Sequence, residues 1–141
     1  MPNGGALRYF FDENLLPVGK ALAIVRSDVT YPGHEAIEAR IPTGAKDPDW
    51  LPIVGSGDLD LVVVSHDRRV RNKPAEIEAI RVHAVRFIVM TSTKDLSMWG
   101  KLDFVVRTWA RMEKHIAKCG PGPWIVGMSA NGFRDIPFSI R

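Results

Sequence analysis

Cysteine is almost absent from this sequence: Cys119 is the only one among 141 residues. One thiol cannot form an intrachain disulfide, and it excludes every zinc site that is built from several cysteines. So little cysteine suits a reducing compartment, and we therefore expect a cytoplasmic protein. Cys119 follows Lys118 at the end of a helical pattern, but no base at a telling position supports a catalytic thiol.

Long apolar runs are missing as well. No segment approaches the roughly 20 residues that a membrane-spanning helix needs, so we expect no membrane partner. The opening MPNGGALRYFF lacks a basic region followed by a long apolar stretch, and we expect no secretory signal. The net charge of +3 permits contact with a polyanion without requiring it. With 45% hydrophobic and 25% charged residues, the composition predicts one soluble globular domain over residues 1–141.

What the chain does contain is an alternation of strand and helix patterns. Such alternation predicts an α/β fold, in which a mostly parallel sheet carries helices on both faces. The predicted strands are residues 7–11, 28–31, 59–65 and 85–90, with a closing strand or hairpin in WIVGMS and GFRDIPF. The predicted helices are residues 15–25, a short helix opening at Asp47, a third after Asn72 or Lys73, and residues 96–118.

Several helix ends carry recognisable signals. Asp47 is the predicted N-cap of the short helix, with Pro48 at its first helical position. Residues 91–93 are predicted to cap the long helix at its start, and Gly120 is its natural stop. Side chains at three- and four-residue steps predict its buried face: Leu102, Val105, Val106, Trp109, Met112 and Ile116.

Polar residues follow two of the predicted strands directly. LRYFFDENLLP runs from an apolar strand into Asp12, and LVVVSHD runs from another into Asp67. The carboxyl ends of parallel strands share the edge at which such sheets bind ligands. Two carboxylates there repel each other unless a cation or a proton lies between them, and Mg²⁺ or Mn²⁺ prefers oxygen ligands of this kind. We therefore predict a metal site at Asp12 and Asp67, with Asp49 assisting from the short helix.

An ion at this edge could neutralise a phosphodiester and lower the pKa of a bound water. Asn14 or Ser65 could orient that water or the phosphate by hydrogen bonds. The run HDRRVRNK adds Arg68 and Arg71 beside the carboxylates, and basic groups next to an acidic pocket are what a nucleic-acid hydrolase needs. These residues predict the substrate contacts.

Each of these residues alone also has a purely structural interpretation. Asp12 could cap the following helix, Asp67 could stabilise a turn, and Asp49 could serve the helix dipole. The arginine-rich run could be a solvated face. Asp12 and Asp67 together, at matching strand ends, favour the metal site.

FFDENLLP, DPDWLPIVG and LVVVSHDRRVRNKPAE, in this order, resemble the PIN-like superfamily of metal-dependent ribonucleases, and YPGH and PGPWIV resemble its VapC45-type toxin subgroup. The resemblance covers nearly the whole chain. It implies a three-layer α/β/α sandwich whose acidic pocket binds Mg²⁺ or Mn²⁺ and cleaves RNA, with Asp12, Asp49 and Asp67 as its acids. Many relatives carry a further acid where this chain has Arg69, and Glu76 is the candidate replacement.

Relatives of this kind are often toxins, so the resemblance implies a cognate antitoxin as a partner beside the RNA substrate, and it leaves a homodimer open. Two other classes of function are also compatible with the residues. A response-regulator-like phosphoacceptor domain would use Asp12, Asp67 and Thr91, although PWIVGMSANG lacks the lysine that such domains need after their fifth strand. A PIN-like module could also bind RNA or protein without catalysis, and Arg69 is the argument for it.

Overall fold

The computed structural model describes residues 6–55, 59–66, 73–91, 93 and 95–138, except for the side chains of residues 47 and 48. None of the described helices combines the length and the apolar character that crossing a bilayer requires. The strands are β1 (Tyr9–Phe11), β2 (Val29–Thr30), β3 (Val62–Ser65), β4 (Arg86–Met90), β5 (Trp124–Ser129) and β6 (Gly132–Asp135). The helices are α1 (Leu16–Val25), α2 (Asp47–Gly55), α3 (Pro74–Val82) and α4 (Met98–Cys119), and a 3-10 turn (Glu13–Leu15) precedes α1.

Alternation along the strands divides the core into two apolar layers. In β1, Phe10 faces one layer, whereas Tyr9 and Phe11 face the other. Helices α2 and α3 cover the first face of the sheet through Trp50, Leu51, Val54, Ile77 and Ile80. Helices α1 and α4 cover the second through Val18, Leu22, Phe104, Val105, Met112 and Ile116. The predicted α/β/α sandwich is therefore confirmed.

The sheet has the order β2-β1-β3-β4-β5-β6, with β1 to β5 parallel and β6 antiparallel to β5. The chain moves from β1 to β2 on one side and then crosses to β3 on the other. In an open parallel sheet, the crevice at such a reversal, outside the carboxyl ends of the strands, is where ligands bind. Because the register pairs Phe11 with Val64, Asp12 and Ser65 follow side by side at this crevice.

All four strands that were predicted with bounds are shorter in the structure: β2 loses one residue at each end, β4 loses one at its start, and β1 and β3 lose more. β1 begins at Tyr9 rather than at Leu7, since its ladders to β2 and β3 both begin there. β3 begins at Val62 rather than at Leu59, because Leu59 lies in a turn and Asp60 has a φ of +49°. A positive φ interrupts the extended backbone that a strand requires. The apolar pattern alone did not reveal this interruption.

The start of α4 was predicted wrongly and its end correctly. The N-cap is Ser97, whose Oγ accepts the backbone N–H of Gly100 at 3.1 Å, so the caps predicted at residues 91–93 are wrong. The helix accordingly begins two residues later than predicted. At the other end Gly120 has a φ of +70°, and its N–H bonds the carbonyl of Ile116. Gly120 is therefore confirmed as the stop.

A polar cluster at the amino edge of the sheet joins β1 and α4 to the segment between α1 and β2. The Tyr9 hydroxyl donates a hydrogen bond to Glu113 at 2.8 Å. Arg26 forms two hydrogen bonds of 2.9 Å with Asp28, and its guanidinium lies 4.6 Å from the centre of the Trp109 ring. The cluster therefore fixes the second half of α4 against the edge opposite the Asp12 crevice.

The Tyr9→Phe variant is expected to change the alkaline stability of the protein. Burial, followed by the hydrogen bond to Glu113, raises the pKa of the Tyr9 hydroxyl above its ordinary value of 10.0. A group whose pKa is higher in the folded state than in the unfolded state stabilises the fold fully below the unfolded-state pKa. This contribution is lost as the pH rises from the unfolded-state pKa through the folded-state pKa. We expect the free energy of unfolding to fall above about pH 10, and to fall less in Tyr9→Phe.

Urea titrations at several pH values measure this difference. Tyr31→Phe removes the other tyrosine hydroxyl and is the control, for which we expect the alkaline loss of the wild type. Identical pH slopes in wild type and Tyr9→Phe would contradict the prediction.

Candidate functional site

Asp12 lies directly beyond β1, and only 6% of its surface is exposed. Its Oδ1 accepts the backbone N–H of Glu13 at 2.6 Å, and its Oδ2 accepts the hydroxyl of Ser65 at 2.9 Å. The first bond is the structural cap that the sequence allowed, since it closes the 3-10 turn. Capping uses only one oxygen and does not require burial. The second bond aligns the carboxylate in the crevice between β1 and β3.

Ser65 is the centre of a small polar network that joins the ends of β1 and β3. It is the last residue of β3, is fully buried, and accepts the Nδ2 amide of Asn14 at 3.3 Å while it donates to Asp12. Asn14 also accepts the backbone N–H of His66 through Oδ1 at 3.1 Å. The structure therefore brings together Asp12 and Asn14, both predicted as site residues, with Ser65, considered earlier only as a partner for water or phosphate.

A long-range hydrogen bond fastens the segment between β2 and α2 to this edge. Glu13, next to Asp12, accepts the backbone N–H of Gly44 through Oε1 at 3.1 Å. In the same segment, Nδ1 of His34 accepts the backbone N–H of Ala36 at 3.0 Å, so the neutral ring carries its proton on Nε2. No local sequence signal predicts the bond between Glu13 and Gly44, because 31 residues separate them.

Asp49 lies in the first turn of α2 and is exposed. The helix begins at Asp47 itself, so the predicted N-cap is wrong by one residue. Beside Asp49, the buried Trp50 packs on Phe10 with ring centroids 4.9 Å apart, which anchors α2 to β1. Within the described part of the chain, no hydrogen bond or ion pair joins Asp49 to Asp12. Helix α2 covers the first face of the sheet, so Asp49 lies at the exposed start of that layer and is not a hydrogen-bonded member of the network around Asp12.

The other predicted site residues, Asp67, Arg68 and Arg71, lie outside the described residues, as does Arg69. In the described ranges, no three histidine, cysteine, aspartate or glutamate side chains come together as a metal site. The side-chain oxygens that are described in the network around Asp12 are those of a carboxylate, a hydroxyl and an amide. This donor chemistry suits a hard cation such as Mg²⁺ or Mn²⁺.

Glu76, the candidate replacement for a further acid, lies in the first turn of α3. Its carboxylate forms an ion pair of 3.6 Å with Lys73, the N-cap residue of that helix. An acid in this position is also favourable to the helix dipole. The structure thus gives Glu76 a local role at the start of α3.

The cavity around Cys119 lies at the opposite, amino edge of the sheet. It has a volume of about 330 Å³, and it is lined by Cys119, Pro121, Pro123, Trp124, Ile125, Asp135, Ile136 and Phe138. Burial, followed by the charge of Asp135, raises the pKa of the Cys119 thiol. A raised pKa lowers the thiolate fraction and with it the reactivity. The cavity therefore does not support a nucleophilic role for Cys119.

A family model described as "PIN like domain" matches residues 7–92, which is well over half of the chain. The match contains β1 to β4 and every member of the network formed by Asp12, Asn14, Ser65 and His66. Strands β5 and β6 lie beyond the match but continue the same sheet. Neither the curated proteins nor the solved structures contained a match to the chain.

Proposed function

The chain belongs to the PIN-like domain family, and from this membership we propose that it is a metal-dependent endoribonuclease. Fold membership alone does not establish a chemistry, so the proposal depends on the site. The observation that carries it is the burial of the Asp12 carboxylate beside Ser65, at the crevice where the strand order reverses. A buried carboxylate at a ligand-binding edge is costly, and a cation there would offset that cost.

Asp12 and Asp67 would hold Mg²⁺ or Mn²⁺, with Asp49 assisting from α2. The ion, when bound, would neutralise the scissile phosphate and lower the pKa of the attacking water. Ser65 orients Asp12 through its hydrogen bond, and Asn14 in turn bonds Ser65, so the carboxylate would reorganise little when the substrate arrives.

The phosphate backbone of RNA requires positive or hydrogen-bonding groups beside the carboxylates. Arg68 and Arg71 are proposed to contact phosphates of the RNA. Asn14 would add a contact from the side of β1, because its amide already spans the two strand ends.

We also propose a biological setting, namely the toxin half of a toxin–antitoxin pair of the VapC45-type subgroup, acting on RNA in the cytoplasm. The support is the resemblance of YPGH and PGPWIV to that subgroup. Expression of the wild type should arrest growth, and expression of Asp12→Asn should not. Co-expression of the product of the neighbouring gene tests for an antitoxin, since it should restore growth.

The direct test is the cleavage of a mixed RNA pool by purified protein with Mn²⁺, with Mg²⁺ and with a chelator. Asp12→Asn and Asp67→Asn are compared with the wild type under identical conditions. Metal-dependent cleavage that both variants lose would support the proposal. Cleavage in chelator would contradict the metal requirement, and metal-bound protein that cuts nothing would favour the binding module suggested by Arg69.

The phosphoacceptor interpretation is not proposed, because the sequence contains no lysine after Lys118 to balance a phosphoryl group beyond β5. Acetyl phosphate with Mg²⁺ gives a simple check. Stable labelling of a single aspartate would reverse this judgement.

The Ser65→Ala variant is expected to lower RNA cleavage by about 10- to 100-fold, as is typical when a group that orients a metal ligand is lost. The substitution removes the hydrogen bond to Asp12 and leaves the Asn14 amide without its acceptor. Steady-state cleavage measures the effect, and a Mg²⁺ titration shows whether metal affinity falls with it. Ser129→Ala, in the β5–β6 hairpin, is the control and should cleave normally. Equal activity in both variants would contradict the positioning role of Ser65.

A further inference from the structure

Trp99 is 79% exposed, although tryptophan is the largest apolar side chain in the protein. It lies in the first turn of α4, and within the described ranges its ring makes no aromatic contact, hydrogen bond or cation contact. Leu96 and Met98 beside it are 40% and 37% exposed. Single exposed apolar residues are ordinary, whereas contiguous exposed apolar residues mark binding surfaces.

The structure holds this ring on a rigid support. Ser97 caps the helix immediately before it, and α4 continues for 22 residues. One turn further on, Phe104 and Val105 are buried against the sheet. The backbone under Trp99 is thus ordered before any ligand binds, which lowers the entropic cost of binding.

The position of Trp99 relates it to the Asp12 crevice. Trp109 packs level with β1, because its ring centroid lies 4.8 Å from that of Tyr9 and 6.5 Å from that of Phe11. Trp99 precedes it by ten residues, which corresponds to roughly 15 Å of helix. Asp12 lies only one residue, about 3.3 Å, beyond Phe11. Because α4 follows β4 and starts at the carboxyl edge, the first turn of α4 lies at the same edge of the sheet as Asp12.

The charges around Trp99 are compatible with a bound polyanion. The first turn of α4 contains no acidic residue, and the amino end of a helix carries a partial positive charge. Lys101 adds a full positive charge in the same turn. The described carboxylates about one turn away on either side are Asp95 and Asp103, and Asp103 is paired with Arg107. Phosphates can therefore pass beside the ring without facing a cluster of like charge.

The same helix is a poor match for a broad apolar protein interface. Val106, predicted on the buried face of α4, is 55% exposed, which makes that prediction wrong and places a second apolar residue seven positions after Trp99. However, Asp103 lies between Trp99 and Val106, and it forms an exposed ion pair with Arg107 at an N–O distance of 3.0 Å. Charged residues are depleted at the core of protein interfaces. The apolar surface at Trp99 is therefore local rather than broad.

We propose that Trp99 is a stacking platform for a base of single-stranded RNA next to the Asp12 crevice. This inference rests on the proposed function, and it adds a substrate-contacting residue outside the network around Asp12, one that would contact bases rather than phosphates. Every base has an aromatic face, so the contact supplies affinity without selecting a sequence. A neutral ring also adds nothing to the salt dependence of binding, which comes from the phosphates.

The test measures binding of short oligouridine and oligoadenosine strands in chelator, where proposed cleavage does not interfere. Trp99→Ala should weaken binding of both strands by about 5- to 150-fold. Trp99→Phe should retain most of the affinity, because it keeps an aromatic face. Val106→Ala, on the same helix, is the matched control and should bind like the wild type. The slope of affinity against salt should be the same in the wild type and in Trp99→Ala.

Several results would overturn the inference: no binding of either strand by the wild type, equal affinity in Trp99→Ala, or an equal loss with double-stranded RNA. Normal RNA binding by Trp99→Ala together with lost capture of a co-expressed protein would overturn it in favour of a protein interface. Failure of the nuclease proposal would be seen separately, as absent cleavage with Mn²⁺ or Mg²⁺. Weakened binding by Trp99→Ala would support the stacking platform even then.

Discussion

The Asp12→Asn variant is expected to lose RNA cleavage by on the order of 10³-fold, which corresponds to about 4 kcal/mol of transition-state stabilisation. The substitution removes the negative charge from the crevice between β1 and β3 and changes the size of the side chain little. A hard cation binds an amide oxygen more weakly than a carboxylate, so Mg²⁺ affinity should fall together with activity.

The fold should survive this change because the hydrogen bonds can be kept. The Asn amide oxygen can still accept the N–H of Glu13, and its NH₂ can donate to Ser65, whose hydroxyl rotates to suit. Removing a carboxylate from an acidic edge would also relieve repulsion in the metal-free protein. Asp12→Ala differs, because it leaves buried donors without a partner and should cost about 1–3 kcal/mol of stability.

The measurements are RNA cleavage and thermal denaturation of both variants beside the wild type. Asp103→Asn is the matched control, since it makes the same chemical change at an exposed carboxylate on α4. We expect that control to cleave normally. Undiminished cleavage by Asp12→Asn would show that cleavage does not require the negative charge of Asp12. An equal loss of cleavage in Asp103→Asn would show that the effect is not specific to Asp12.

The Trp50→Ala variant is expected to lower the free energy of unfolding by about 3–5 kcal/mol, the usual cost of removing a large buried aromatic ring. Trp50 is 1% exposed, and its ring lies against Phe10 at the centre of one apolar layer. Within the described residues its Nε1 has no hydrogen-bond partner, so the loss is one of packing rather than of a polar contact. The cavity would lie directly under α2, the helix that carries Asp49.

Urea unfolding measures this loss, and the chain provides a control of the same chemistry. Trp99→Ala also removes an indole, but from a side chain that is 79% exposed, and it should change stability by no more than about 0.5 kcal/mol. Similar losses of unfolding free energy in the two variants would mean that Trp99 packs against the protein. That result would contradict the assignment of Trp50 as the core tryptophan, and it would also argue against the stacking proposal.

Asp12 and the end of α4 could be predicted from the sequence because each is identified by a few neighbouring residues. An apolar run that ends in a carboxylate identifies Asp12 without any knowledge of its neighbours, and the spacing of glycine after a long helical pattern identifies Gly120. The start of α4 was missed because several serines and threonines precede it, and any of them could have served as its cap. Only Ser97 has its hydroxyl on the N–H of Gly100.

The hydrogen-bond partner of Asp12 could not be predicted from local sequence. Ser65 lies 53 residues away, and its place in the network depends on which strand lies beside β1 and in which register. The same apolar strands in another order would have left Asp12 as a simple cap. The bond between Glu13 and Gly44 depends in the same way on the path of the chain after β2.

By itself, the sequence determined the alternation of strands and helices, the α/β class and the placement of Asp12 at a strand end, because periodicity, capping and turn residues act over a few neighbouring positions. Only the tertiary structure decided that Ser65, itself bonded by Asn14, holds Asp12, that Asp49 lies outside this network, and that Val106 and Trp99 stay exposed. Those outcomes follow from strand order, register and the cover that one element provides for another, which are properties of the whole chain.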